Sequence, residues 1–225
     1  MCETVLITGA SGLLGRALVR EFAGRGLRVL AQYHRQRGEE SGNVHWLAGD
    51  FSCVAGTAAF LERHAKALAG CGCVVHNYGP IVEKATAEVT GADLLAACQA
   101  HLQPALDITR HLLARARLRS ALFIAFEDTG RARPFRKVLA FATAKNALPL
   151  LSRSLADAHP GVRFNVFSPP TLAGAAIRHP RVKPVAPEKV AARACRIVLG
   201  RGTGRHYRWP SVGGRTARRE THGSR

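Results

Sequence analysis

The stretch Thr4-Val5-Leu6-Ile7-Thr8-Gly9-Ala10-Ser11-Gly12-Leu13-Leu14-Gly15-Arg16-Ala17-Leu18 joins a short β-branched apolar run to regularly spaced glycines, and a helical pattern starts at once. A strand that ends in a tight turn and passes straight into a helix N-terminus leaves a chain few folds to choose from. The glycines permit the turn and let backbone approach a ligand closely. The first helical amides, with the positive end of the helix dipole, then face negative charge. Placed at the first strand of an alternating chain, this geometry receives a dinucleotide pyrophosphate. Gly9, Ser11, Gly12, Leu14 and Gly15 are the candidate contacts.

The rest of the chain alternates as that reading requires. Leu13, Leu14, Leu18, Val19 and Phe22 recur at helical spacing between Ser11 and Gly24, and residues 27–33 form a second strand. Strand three is 44–49, a helix covers 54–68, strand four is 72–77, and one long helix covers 93–115. Strand five (118–126), a helix (134–158), strand six (162–167), a helix (188–199) and a short strand (206–209) complete the pattern. This predicts an α/β fold, a doubly wound parallel sheet of about seven strands with helices on both faces. Residues 1–212 then make one nucleotide-binding domain, and the polar, basic tail 213–225 is expected to be disordered. Right-handed crossovers put the ligand crevice at the strand C-termini.

The residues that follow the strands are therefore the informative ones. Strand two runs into His34-Arg35-Gln36-Arg37, where an adenosine ribose would lie. Basic residues there accommodate a 2′-phosphate, whereas an acidic one favours a free hydroxyl, so NADPH is expected over NADH. Asp50 and Phe51 follow strand three at the adenine edge.

Composition excludes several classes. No apolar stretch reaches membrane-spanning length, and the N-terminus lacks a signal pattern, so a cytoplasmic protein without a membrane partner is expected. Six cysteines, Cys2, Cys53, Cys71, Cys73, Cys98 and Cys195, read as small core residues in a reducing compartment. Cys71-Gly72-Cys73 near His76 lies on a predicted buried strand, and no metal site is expected there. The net charge is +18, with seven arginines against Glu220 between Arg201 and Arg225, and a second basic block from Arg110 to Lys145. No interleaved aromatics or nucleic-acid motif accompany this charge, which reads as compositional bias rather than as nucleic-acid binding.

Several further motifs carry a resemblance over residues 3–215: Gly49-Asp50-Phe51, His76-Asn77-Tyr78-Gly79, Phe141-Ala142-Thr143-Ala144-Lys145, Asn165-Val166-Phe167-Ser168-Pro169 and Gly213-Gly214. With the glycine turn they make the chain similar to the short-chain dehydrogenase/reductases, whose fold is Rossmann-type. Within them it looks most like the pteridine and dihydromonapterin reductases, through Tyr33-His34-Arg35 and through Asp128, thirteen residues before Phe141. The resemblance implies that Asn77, Tyr78, Gly79, Lys145 and Pro169 join the cofactor contacts. It also implies that Asp128, Lys145, residue 141 and His101 form the catalytic group. His101 stands where the wider family commonly has an asparagine in its proton relay.

The chain departs from that pattern at Phe141, where family members have the tyrosine of Tyr-x-x-x-Lys. Residues four apart share a helix face, so the phenol and lysine would both meet the cofactor. Phenylalanine keeps the ring and loses the proton. Gly79 and Ile81 fall near the positions where the pterin branch has a serine and an aromatic. Leu13 replaces an arginine of its phosphate turn, and residues 170–187 are short for a lid. Three functions stay open. One is an NADPH-dependent reductase of a small cyclic C=N or C=O substrate, with its proton from Asp128, Tyr78, His101 or water. The second is an NADPH-binding silent subunit of a heteromeric enzyme, and the third a repurposed pocket for isomerisation or cyclisation. The apolar faces of the helices at 93–115 and 134–158 imply a homo-oligomer, dimer or tetramer.

Overall fold

Strands and helices alternate in the computed structural model, which describes residues 3–126, 137–175 and 183–209. The strands are β1 (Thr4–Ile7), β2 (Arg28–Tyr33), β3 (Val44–Ala48), β4 (Cys73–His76), β5 (Ser120–Ile124), β6 (Arg163–Ser168) and β7 (Arg205–Arg208). They form one seven-stranded sheet in the order β3-β2-β1-β4-β5-β6-β7, and every pairing is parallel. Parallel neighbours need crossovers, and the helices supply them: α1 (Leu13–Gly24), α2 (Val54–Arg63), α3 (Ala65–Leu68), α4 (Gly91–His101), α5 (Gln103–Arg115), α6 (Leu139–Ala158) and α7 (Pro187–Leu199). The α/β doubly wound fold expected from the sequence is the one observed.

Central strands read as unbroken apolar runs because both their faces are covered. Successive side chains divide between two cores, as the strand period of two requires. Val5, Ile7, Val29, Ala31, Val75 and Leu122 pack with α1 and α7. Leu6, Leu30, Val74, Ala121, Phe123 and Val166 pack on the other face with Phe60, Ile108, Leu112 and Leu148. Phe22 on one face and Phe60 on the other are at most 1% exposed. Truncating either to alanine would cost about 3–5 kcal/mol. The sheet order reverses between β1 and β4, so the crevice opens there, at the strand C-termini.

Three expectations are corrected. The single helix over 93–115 is two, α4 and α5, which meet at Leu102. Pro104 has no amide to continue the ladder and disfavours helical backbone before it. The helix over 54–68 is also two, divided at His64, whose Nε2 reaches the Ala48 carbonyl at 2.9 Å. The cysteines do not form a uniform set of reduced core thiols. Cys73, at the start of β4 in register with Val5, is disulfide-bonded. Cys53 is exposed, its sulfur capping α2 at Gly56 N–H. Asp128, Gly213, Gly214 and the tail 213–225 lie outside the described residues. No helix among the described residues is long and apolar enough to cross a membrane.

Candidate functional site

The turn after β1 is shaped for backbone rather than side chains. Gly9 has φ 63°, and a Cβ there would come within 2.9 Å of the Tyr78 Cα. A Cβ on Gly15 would sit 2.1 Å from the Gly9 carbonyl oxygen, so only glycine lets α1 lie this close to the turn. Gly12 is the N-cap of α1, with no side-chain cap and no acidic residue in the first turn. The amides of Leu13, Leu14 and Gly15 therefore have no partner within the helix. Ser11 lies on this rim, and its carbonyl accepts from Arg16 Nε at 2.8 Å. Leu14 puts its side chain into the core, which leaves only its amide for a ligand.

The end of β4 is tied to the end of β1. Asn77 Nδ2 donates to the carbonyls of Thr8 and Gly9 at 3.2 and 3.1 Å. The amides of Asn77 and Tyr78 both donate to Thr8 Oγ1 at 3.0 Å. Tyr78 is half-buried and packs edge-to-face on Phe51 at 5.4 Å; burial raises its phenol pKa. Phe51 is itself fully buried between Phe60 and Tyr78, so its backbone is the part left for a ligand.

On the far side of the turn, His34 Nε2 stands 3.7 Å from Asp50 Oδ2. Asp50 accepts the Ser52 amide at 2.9 Å, and that bond, then the nearby His34 and Arg35, hold its carboxyl below the usual range. Arg37 pairs with Glu40, whereas Arg35 makes no ion pair among the described residues.

Beneath the crevice, α6 carries Phe141 and Lys145 one turn apart. The Lys145 ammonium is 4% exposed and donates to the carbonyls of Ile124 at 2.9 Å and Tyr78 at 3.4 Å. Burial lowers its pKa to about 8. Pro149 removes the amide that would have bonded the Lys145 carbonyl. The Phe141 ring is 8% exposed and meets two rings edge-to-face, His101 at 5.2 Å and Phe126 at 5.3 Å. His101 is buried; desolvation, then the Lys145 charge, lowers its pKa to about 3. Its Nδ1 has no hydrogen-bond partner among the described residues, and a Cβ on Gly79 would lie 2.5 Å from that nitrogen. A cavity of about 10 Å³, room for one water, lies between Thr8, His76, Tyr78, His101 and Lys145. His76 stacks on Phe123 and bonds Thr109 Oγ1 at 2.9 Å, and burial lowers its pKa to about 3.

At the end of β6, Ser168 Oγ donates to the Phe126 carbonyl at 2.9 Å and lies 2.8 Å from His206 Nε2. Pro169 follows, half-buried.

The predicted residues that the structure describes thus gather along one edge of the sheet; Asp128 lies outside them. A dinucleotide fits their chemistry: a side-chain-free turn with bare helical amides, a basic strand end, and a buried lysine below. The sequence reading missed Gln32, fully buried in β2, which bonds Gly9 and Gly49 at the floor of the crevice. A lone amide inside the apolar run Val29-Leu30-Ala31-Gln32 was the available signal.

The comparisons agree with this geometry. Residues 3–184 match the family model described as short chain dehydrogenase. No curated protein matches the sequence. Among solved structures, a short chain dehydrogenase family protein from Francisella tularensis is similar at TM-score 0.78 and 15% identity, over 92% of this chain and 97% of that one. The angucycline C-6 ketoreductase LanV, solved with bound NADP, is similar at TM-score 0.80 and 16% identity, over 92% and 93%. A short-chain dehydrogenase/reductase from Serratia marcescens gives TM-score 0.74 and 18% identity, over 92% and 95%.

Proposed function

Because the chain belongs to the short-chain dehydrogenase family, we propose that it is an NADPH-dependent reductase of a small C=N or C=O substrate that takes its proton from Lys145. The observation that carries this reading is the Lys145 ammonium, buried one helical turn from a ring with no proton to give, its pKa lowered to about 8. An acid tuned toward the working pH is effective, and lysines are tuned that way by burial.

Gly9, Gly12 and Gly15 with the first amides of α1 would hold the pyrophosphate. His34 and Arg35 would meet the 2′-phosphate, and Asp50 with the backbone of Phe51 the adenine edge. Asn77, Tyr78, Gly79 and Pro169 would border the nicotinamide, and Lys145 its ribose. Bound there, NADPH supplies a hydride. Two ammonium protons of Lys145 are held by the Ile124 and Tyr78 carbonyls, and the third would meet the ribose hydroxyl until the substrate takes it. The small cavity beside His101 Nδ1 has room for one water, which would relay a proton from bulk solvent back to Lys145. Asp128 would orient the substrate. Reducing an imine asks less of the acid than reducing a ketone, so a cyclic imine such as a dihydropterin is the favoured class. Leu95 and Leu150, 73% and 63% exposed on α4 and α6, supply the faces for a homo-oligomer.

A second reading rests on the enclosure of Phe141 between His101 and Phe126: an NADPH-binding subunit without redox activity. Calorimetry with NADPH and NADH, followed by NADPH oxidation against cyclic imines, separates the two. Tighter NADPH binding with turnover supports the reductase, and binding without turnover supports the silent subunit. Equal affinity for both cofactors removes the 2′-phosphate assignment, and no binding of either removes both readings.

A further inference from the structure

The fully buried stretch of β2, Val29–Gln32, is apolar except for Gln32, which is 1% exposed. A buried primary amide is costly unless its groups are bonded. Here each finds a partner in the crevice. Gln32 Oε1 accepts the Gly9 N–H at 2.7 Å, Nε2 donates to the Gly49 carbonyl at 2.7 Å, and the Gln32 carbonyl accepts the Ala10 N–H at 2.8 Å. Gly9 and Ala10 open the phosphate turn; Gly49 leads directly into Asp50 of the adenine loop. One residue therefore grips the two loops that would hold opposite parts of the cofactor. The bond to Gly9 also fixes the amide of a residue in the left-handed region, φ 63°, a conformation the turn needs.

We propose that Gln32 is a positioning residue for the dinucleotide, a clasp that sets the spacing between the phosphate turn and the adenine loop. The proposal rests on the nucleotide-binding part of the function above. A side chain that merely filled space would be served equally well by an aliphatic one. Such a residue would leave the Gly9 N–H and the Gly49 carbonyl unpaired in the floor of the site.

Two variants decide the matter. Gln32→Met keeps the volume and removes both side-chain bonds. It should weaken NADP⁺ binding roughly ten- to hundredfold, the effect of two hydrogen bonds, and speed exchange of the Gly9 amide in the ligand-free protein. Gln32→Glu is a switch. Burial favours its protonated carboxyl, which accepts from Gly9 and donates to Gly49 as the amide does. Once ionised it cannot donate, and it sets negative charge beneath the pyrophosphate. NADP⁺ affinity of this variant should approach wild type at pH 6 and fall at least about tenfold further than wild type by pH 9. Wild-type affinity in Gln32→Met, unchanged Gly9 exchange, or a Gln32→Glu profile parallel to wild type would each overturn the clasp. Wild type that binds no NADP⁺ would sink the nucleotide reading as well, a result distinct from failure of the variants alone.

Discussion

Lys145 should make the stability of this protein rise with pH, and Lys145→Met should abolish that rise. Burial penalises the ammonium, so the native state holds this proton less tightly than the unfolded chain: pKa about 8 against 10.5. Between those values the unfolded state binds more protons, and stability climbs as pH increases. At about 1.4 kcal/mol per unit, the full effect is about 3 kcal/mol. By the same linkage most of it falls between pH 7 and pH 10. Methionine matches the length of the side chain and does not titrate. The lost bonds to the Ile124 and Tyr78 carbonyls contribute an offset that is constant over this range. Urea unfolding of both proteins at pH 7, 8, 9 and 10 gives the difference directly, and other titrating groups cancel in it. The curve for wild type should gain on the variant steadily through this window. A difference that stays flat would mean that Lys145 keeps its ordinary pKa, and the assignment of the proton to it would fall.

Phe141→Tyr places a phenol on the face of α6 that holds Lys145, and general acid catalysis contributes about 10²–10⁴-fold. NADPH oxidation with generic ketones should rise measurably, and an unchanged rate with cofactor still bound would point to a remodelled substrate cavity. His76 and His101 are buried neutral, each with its pKa lowered to about 3 from 6.5. The unfolded chain takes up their protons first, so stability should be lost as pH falls below 6.5 toward 3, with a maximal slope of about 3 kcal/mol per pH unit from the pair. His76→Gln should flatten that slope in acid denaturation followed by circular dichroism, and an identical slope would show that His76 is charged in the native state.

The fold was legible because its signals are local and repeated. Apolar runs such as Val5-Leu6-Ile7 and Cys73-Val74-Val75 must be buried on both faces, and only a parallel sheet between helices does that. Where an apolar pattern continued through a break, the sequence misled. Pro104 divides α4 from α5 although the helical spacing persists across it, and His64 divides α2 from α3 by a bond to Ala48, a partner sixteen residues away. The glycines of the cofactor turn announce themselves because their reason is steric and lies within the turn. Gln32 does not, because its meaning depends on Gly9 and Gly49, which only the register of β1, β2 and β3 brings to it. Phe141 announces a missing proton, but not that its ring would be enclosed by His101 and Phe126.

The two halves of this site depend on different things. The proposed dinucleotide cradle presents backbone where Gly9 and Gly15 exclude side chains, and the side chains of Asn77, Thr8 and Gln32 tie β4 to β1 and β2 to both loops. Changing residue 141 touches none of these bonds, so a substitution there should leave dinucleotide binding at the proposed site intact. Lys145 belongs to both halves. Held under the crevice by two carbonyls, it is less stable charged than it would be in water, and an apolar side chain would remove that cost. A ligand hydroxyl that accepts its remaining N–H would favour the charged form and offset part of the penalty. On the proposed function, Lys145 would therefore couple the occupancy of the cradle to its own protonation.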